Sequence, residues 1–136
     1  MYDVNFWSIL VAAVVAFAIG ALWYSPVLFG KEWMKLTQTS DSDISVAKAG
    51  GMWGSYVVHF IATLVSFAVL GFAIAATGSM NAGDGAFIGF LAWLGFVAVI
   101  GVSELLWEKK SMKLVMINTV QVLVGLVVGG MIIGAW

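Results

Sequence analysis

Trp53–Ala76, WGSYVVHFIATLVSFAVLGFAIAA, decides how this chain folds. It contains no Asp, Glu, Lys or Arg, and its one basic side chain is His59. About 20 mostly apolar residues in a helix cross the hydrocarbon core of a bilayer, and this run exceeds that. Other parts of the chain cannot wrap it in water. Hydrophobic residues make up 62% of the 136 and charged residues 10%, against about 45–50% and about 25% in a soluble domain. Mean hydropathy is +1.07, and so small a soluble domain could not hide that much apolar surface. The chain reads as an integral membrane protein.

Working outward, formal charges leave four clear windows: Val4–Gly30, Ala49–Gly83, Gly85–Ser103 and Leu114–Trp136. They predict spans at Phe6–Tyr24, Trp53–Ala76, Gly85–Leu106 and Leu114–Ala135. The expected fold is an all-α bundle of four transmembrane helices, forming a single domain over residues 1–136. Ala16-Phe17-Ala18 looks like a signal-peptide cleavage site. No Lys or Arg precedes it, and the apolar run exceeds the usual core of about 7–15 residues, so the first helix reads as an uncleaved span.

Four spans place segments 25–52 and 107–113 on one side of the membrane. All six lysines fall there: Lys31, Lys35, Lys48, Lys109, Lys110 and Lys113. The other side carries only Asp3 and Asp84. The positive-inside rule therefore puts both segments in the cytoplasm and both termini on the non-cytoplasmic side. Trp7, Trp23, Trp53, Trp107 and Trp136 fall near span ends, as in an aromatic belt. After Ser25-Pro26 stops the first helix, Phe29, Trp33 and Met34 alternate with Lys31, Glu32 and Lys35, which predicts a short interfacial helix. Ser40 and Asp43 have the spacing of a capping box.

Polar groups inside a bilayer normally face the bundle interior. At helical spacing the second span aligns His59, Thr63 and Ser66; the fourth aligns Asn118, Gln121, Gly125 and Gly129; the third aligns Glu108, Glu104, Gly101 and Val97. Tyr24, His59, Glu104 and Asn118 then share one layer near the lysine-bearing side. One reading makes this layer a pocket of Tyr24, His59, Thr63, Glu104, Asn118 and Gln121, with Glu104 and His59 exchanging a proton as in a small transporter or channel. The other makes His59 and Asn118 interhelical glue, with Glu104 either snorkelling to the interface or paired to Lys109 or Lys113.

Glycines at Gly20, Gly85, Gly89, Gly125, Gly129, Gly130 and Gly134 suit close helix packing. The pairs in the fourth span fall on two faces, which predicts one face for the bundle and one for a second copy in a homo-oligomer. Several chemistries are excluded. Without Cys there is no thiolate metal site or thiol redox chemistry, and with one His there is no multi-histidine metal site. Every basic residue is Lys, so no bidentate guanidinium clamp exists. Net charge is −1, with no nucleic-acid signature. No cofactor, metal or catalytic motif is expected, and the lipid bilayer is the expected partner beside an unknown small molecule. The chain reads as a non-enzymatic membrane module.

Gly20-Ala21-Leu22-Trp23-Tyr24-Ser25-Pro26, followed by Phe29-Gly30-Lys31 and Trp33-Met34, resembles the N-terminal signature of a bacterial membrane family catalogued as domain of unknown function 1761. Trp93 with Gly95-Phe96, Glu108, and Ile117-Asn118 are similar as well, so the resemblance covers essentially the whole chain. It implies four spans in a small multi-pass protein of a prokaryotic cytoplasmic (inner) membrane, with no established activity. Trp23, Tyr24, Ser25, Pro26, Gly30, Trp93 and Asn118 occupy signature positions, and none carries a catalytic role from the family.

Overall fold

Four polar side chains start helices by accepting a backbone N–H that the first turn leaves unpaired. Asn5 accepts from Trp7, Ser40 from Asp43, Asn81 from Asp84 and Ser111 from Leu114. The computed structural model describes residues 4–78 and 80–136; Asp3, counted in the charge reading, lies outside them. Among the described residues the chain is helical and has no strand. Its elements are α1 (Phe6–Trp23), α2 (Gly30–Thr37), α3 (Asp41–Ala49), α4 (Trp53–Ala76), α5 (Ala82–Ala92), a π-helical turn (Trp93–Ala98), α6 (Val99–Trp107) and α7 (Met112–Ala135).

Four helices are long and apolar enough to cross a membrane: α1, α4, the continuous third span Ala82–Trp107, and α7. The expected boundaries move slightly where caps act. Asn81 and Ser111 start the third and fourth spans at Ala82 and Met112, which draws Asp84 and Lys113 into first turns. Asp84 there faces the positive end of the helix dipole. Tyr24 closes α1 as its C-cap. The capping box of α3 forms as its spacing predicts: Asp43 N–H donates to Ser40 Oγ at 3.0 Å, and Ser40 N–H to Asp43 Oδ2 at 2.9 Å.

The helices run up and down, with α7 lying against each of the other three spans. Away from the lysines the bundle is dry. Ile9, Ala12 and Ala13 of α1 pack there with Phe67, Leu70 and Ile74 of α4 and Ile133 of α7. Burial in α4 is confined to Phe67, Leu70, Gly71 and Ile74, one face of its second half. Its first half, 53–66, has no buried residue.

Glycine brings the third and fourth spans together. A side chain on Gly85 would strike the Gly130 carbonyl, one on Gly89 the Leu126 carbonyl, and one on Gly134 the Asn81 carbonyl. The other glycine face of α7 is used too: a side chain on Gly129 would enter the Phe67 ring, and Gly125 lies against Ala16. This corrects the expectation that one glycine face remains for a second copy. Both are filled within the chain, because α1 and α4 flank one side of α7 and α5 the other.

The π turn was not legible in the stripe drawn through Glu108, Glu104, Gly101 and Val97. Between Gly89 and Gly101 an unbroken α-helix, at about 3.6 residues per turn, accumulates about a third of a turn of offset. A wider i→i+5 turn absorbs one extra residue. Gly101 is thereby returned to α7, where a Cβ would lie 3.1 Å from Thr119 Cγ2 and 3.2 Å from Val115 Cγ1.

Candidate functional site

Because the first half of α4 is not buried while its second half is, a wedge separates it from α1 and α7. The wedge is a cavity of about 770 Å³. From α1 it is lined by Ala16, Phe17, Gly20, Ala21 and Tyr24. From α4 come Tyr56, His59, Thr63, Ser66 and Phe67; from α7, Gln121, Val122, Gly125 and Leu126. Lys48 of α3 lines it at the lysine end. Tyr56 to Phe67 spans roughly 16 Å at a rise of about 1.5 Å per residue. The deep end is closed by the Phe67 ring, which is seated over Gly129 and joins the dry core.

The polar groups along the α4 wall differ in what they have left to offer. Thr63 Oγ1 donates to the His59 carbonyl at 2.8 Å and Ser66 Oγ to the Ala62 carbonyl at 3.1 Å, so their protons turn back into the helix. The His59 ring leans on Phe17, with centroids 5.6 Å apart. Opposite, the Gln121 amide makes no hydrogen bond among the described residues, and its Nε2 is 3.3 Å from where a side chain on Gly20 would begin. No described buried side-chain polar atom lacks a partner, so that amide is open to the cavity.

The six residues expected to share one pocket are divided. Tyr24, His59, Thr63 and Gln121 line the cavity. Asn118 stands beside it and accepts a hydrogen bond at 3.0 Å from the Tyr24 hydroxyl, which does line it. Glu104 is not among the lining residues. It pairs instead with Lys110 at 3.7 Å, and Lys110 also reaches Glu108 at 3.7 Å. The expected Glu104–His59 centre is therefore not assembled. Glu104 lies beyond α7 on the third span, with a lysine within reach and an exposed rim to hydrate it. The lysine partner was expected at Lys109 or Lys113; Lys109 adopts φ 54° in the turn, and Lys113 binds Glu32 at 3.1 Å, tying α7 to α2.

Three of the residues expected at signature positions, Trp23, Tyr24 and Trp93, converge on one turn of α7. The Trp23 indole N–H donates to the Ile117 carbonyl at 2.9 Å, the Tyr24 hydroxyl to Asn118, and the Trp93 indole N–H to the Thr119 carbonyl at 2.7 Å. Trp23, at the end of its span, thus also acts as an interhelical donor. After Tyr24 the chain doubles back: Ser25 Oγ donates to the Leu22 carbonyl at 2.7 Å, and Gly30 N–H to the Ser25 carbonyl at 2.9 Å. Gly30 must be glycine, since any side chain would collide with the Tyr24 and Ser25 backbone. Sequence periodicity missed this cluster because indole donors and helix carbonyls leave no repeat.

Helix α3 presents Lys48. Its cap is electrostatically secure: hydrogen bonds from the Ser40 backbone and side chain hold the Asp43 carboxyl below the usual aspartate range. Among the described residues Lys48 has no carboxylate within ion-pair distance. It also lines a second cavity, of about 570 Å³, with Tyr24, Pro26, Gly30, Trp33, Met34, Asp41 and Ile44.

A family model described as protein of unknown function (DUF1761) matches residues 7–134. No curated protein and no solved structure matches the chain.

Proposed function

The chain belongs to the DUF1761 family, whose description names no activity, and from that premise we infer its function from the cavity: a non-enzymatic multi-pass membrane module that holds one small molecule between α1, α4 and α7. The observation that carries this is a space of about 770 Å³ with a closed floor and the unpartnered Gln121 amide in its wall. Ligand cavities run to about 300–1,000 Å³, are mostly apolar and carry a few convergent polar groups. The Phe67 ring over Gly129 supports holding rather than conduction. The separation of Glu104 from His59 removes the acid–base pair that proton coupling or catalysis would use.

The lysine distribution supports placing α2, α3 and the 108–111 turn in the cytoplasm, with both termini outside, in a prokaryotic cytoplasmic membrane. In that orientation α2, with Lys31 and Lys35 on its surface, lies along the inner interface and the cavity mouth faces inward.

The chain has no Cys, so single cysteines at His59, Ser66, Glu104, Asn118 and Ser42 can be labelled with a charged, membrane-impermeant thiol reagent from each side. Ser42 and His59 positions should react quickly from the cytoplasmic side, and Ser66 more slowly. Native mass spectrometry of the protein released from membranes should find one small molecule, absent when Thr63→Trp fills the cavity. If only Ser42 reacts and no bound species is seen, the reading fails. Reaction at Ser66 from the outer side would replace it with a transport route past Phe67.

A further inference from the structure

The cavity changes character along its length. Tyr24, Lys48 and Tyr56 line its mouth, while Phe67 and Leu126 close its deep end. Lys48 is the only Lys or Arg among the described lining residues, and no Asp or Glu contributes to that lining. A cation at the mouth of a slot with an apolar floor disfavours cationic and doubly polar ligands and favours one charge of opposite sign at one end. Lys48 also stands where the two cavities meet. The ion pairs of the described residues engage Lys110 and Lys113 and leave Lys48 without a carboxylate. The first half of α4 has no buried residue, so a chain-like molecule has lateral access from the acyl layer.

Resting on the reading that the cavity holds a small molecule, we propose that this molecule is a single-chain amphiphile with a carboxylate head. The head pairs with the Lys48 ammonium, a charge-assisted contact stronger than a neutral one. The chain lies along Phe17 and Gly20 and ends against Phe67. The length of roughly 16 Å suits one medium acyl chain. At the depth of Gln121 the amide meets the first methylenes or a water that follows the head.

The test uses the full chain in phosphatidylcholine nanodiscs, because detergents are themselves single-chain amphiphiles. Photoreactive laurate should label Phe17, Val122 and Leu126 saturably, with unlabelled laurate competing and dodecanol not. Lys48→Gln should weaken competition about tenfold, the loss of one charge-assisted contact, and Lys48→Arg should restore it. Unsaturable labelling confined to lipid-facing Val58, Ile61 and Phe96 overturns the proposal, as does equal competition by dodecanol. If laurate fails to label while native mass spectrometry still finds an occupant sensitive to Thr63→Trp, the carboxylate class is wrong and the cavity reading survives. If laurate labels the cavity residues equally in Thr63→Trp, the cavity reading itself falls.

Discussion

Trp23 and Trp93 grip the same turn of α7 from opposite sides, one donating to the Ile117 carbonyl at 2.9 Å and the other to the Thr119 carbonyl at 2.7 Å. Those carbonyls already accept within the helix, so each indole adds a second donor to an acceptor with two lone pairs. α1 and the third span are thereby fixed in height against one reference turn.

Removing either donor while keeping an aromatic ring isolates that effect. Trp23→Phe and Trp93→Phe should each destabilise the protein by about 1 kcal/mol, the net value of one hydrogen bond. Trp53→Phe and Trp107→Phe, exposed at span ends, should change nothing. Unfolding in mixed micelles followed by circular dichroism reads all four, and equal stability throughout would remove the clamp.

The Phe67 ring occupies the space a side chain on Gly129 would need. Gly129→Ala should therefore cost about 1–3 kcal/mol, as overpacking does. Phe67→Leu combined with Gly129→Ala should recover much of it, and a double-mutant cycle showing simple additivity would contradict the contact.

Two glycine substitutions should move stability in opposite directions. Gly54 faces open space in α4, so Gly54→Ala should gain up to about 1 kcal/mol from helix propensity. Gly85→Ala places a methyl on the Gly130 carbonyl and should push α5 from α7, lowering the melting temperature. If both substitutions stabilise, the third and fourth spans are not as close as described.

The π turn makes a prediction about deletion. Removing Gly95 shortens the Gly89–Gly101 interval to about three whole turns of α-helix, so the shortened span can run straight with both glycines still facing α7. Removing Ile88 instead breaks the Gly85–Gly89 spacing. The first deletion should fold with near-native helicity and the second should not; the reverse ranking would sink the register argument.

Acid should loosen α3 at its start. The folded-state value of Asp43 is depressed by the Ser40 hydrogen bonds. Its contribution is therefore complete above the ordinary aspartate range and is lost as pH falls through the lower folded value. Amide exchange at Ser40 and Asp43 should speed up in that acidic window. Ser40→Ala removes the hydroxyl but keeps the backbone N–H, the larger of the two causes, so the Asp43 titration, followed by carboxyl carbon NMR, should move only part of the way back towards the ordinary range.

What was legible in the sequence follows physical range. Charge-free runs and end caps are local, so the four spans and the Ser40–Asp43 box could be read directly. The polar stripe His59–Thr63–Ser66 was legible because one regular helix carries it. Glu104 was misplaced because depth along a span says nothing about which neighbour it faces, and the π turn rotates that span midway. The two glycine faces of α7 were visible, but their occupants were not, since Phe67 and Gly85 approach from distant parts of the chain. The Trp23 bond to Ile117 was not legible because position near a span end does not reveal which carbonyl an indole meets.

The central place of α7 bears on the order in which the bundle is completed. Synthesis runs from the N-terminus, so α1, α4 and the third span reach the membrane before Met112–Ala135 exists. Until then the indoles of Trp23 and Trp93 have no carbonyls to meet, Gly85 and Gly89 have no backbone to approach, and Phe67 has no Gly129 beneath it. The apolar contact between α1 and α4 can form beforehand, but the contacts that fix the third span against α7 must wait for the fourth.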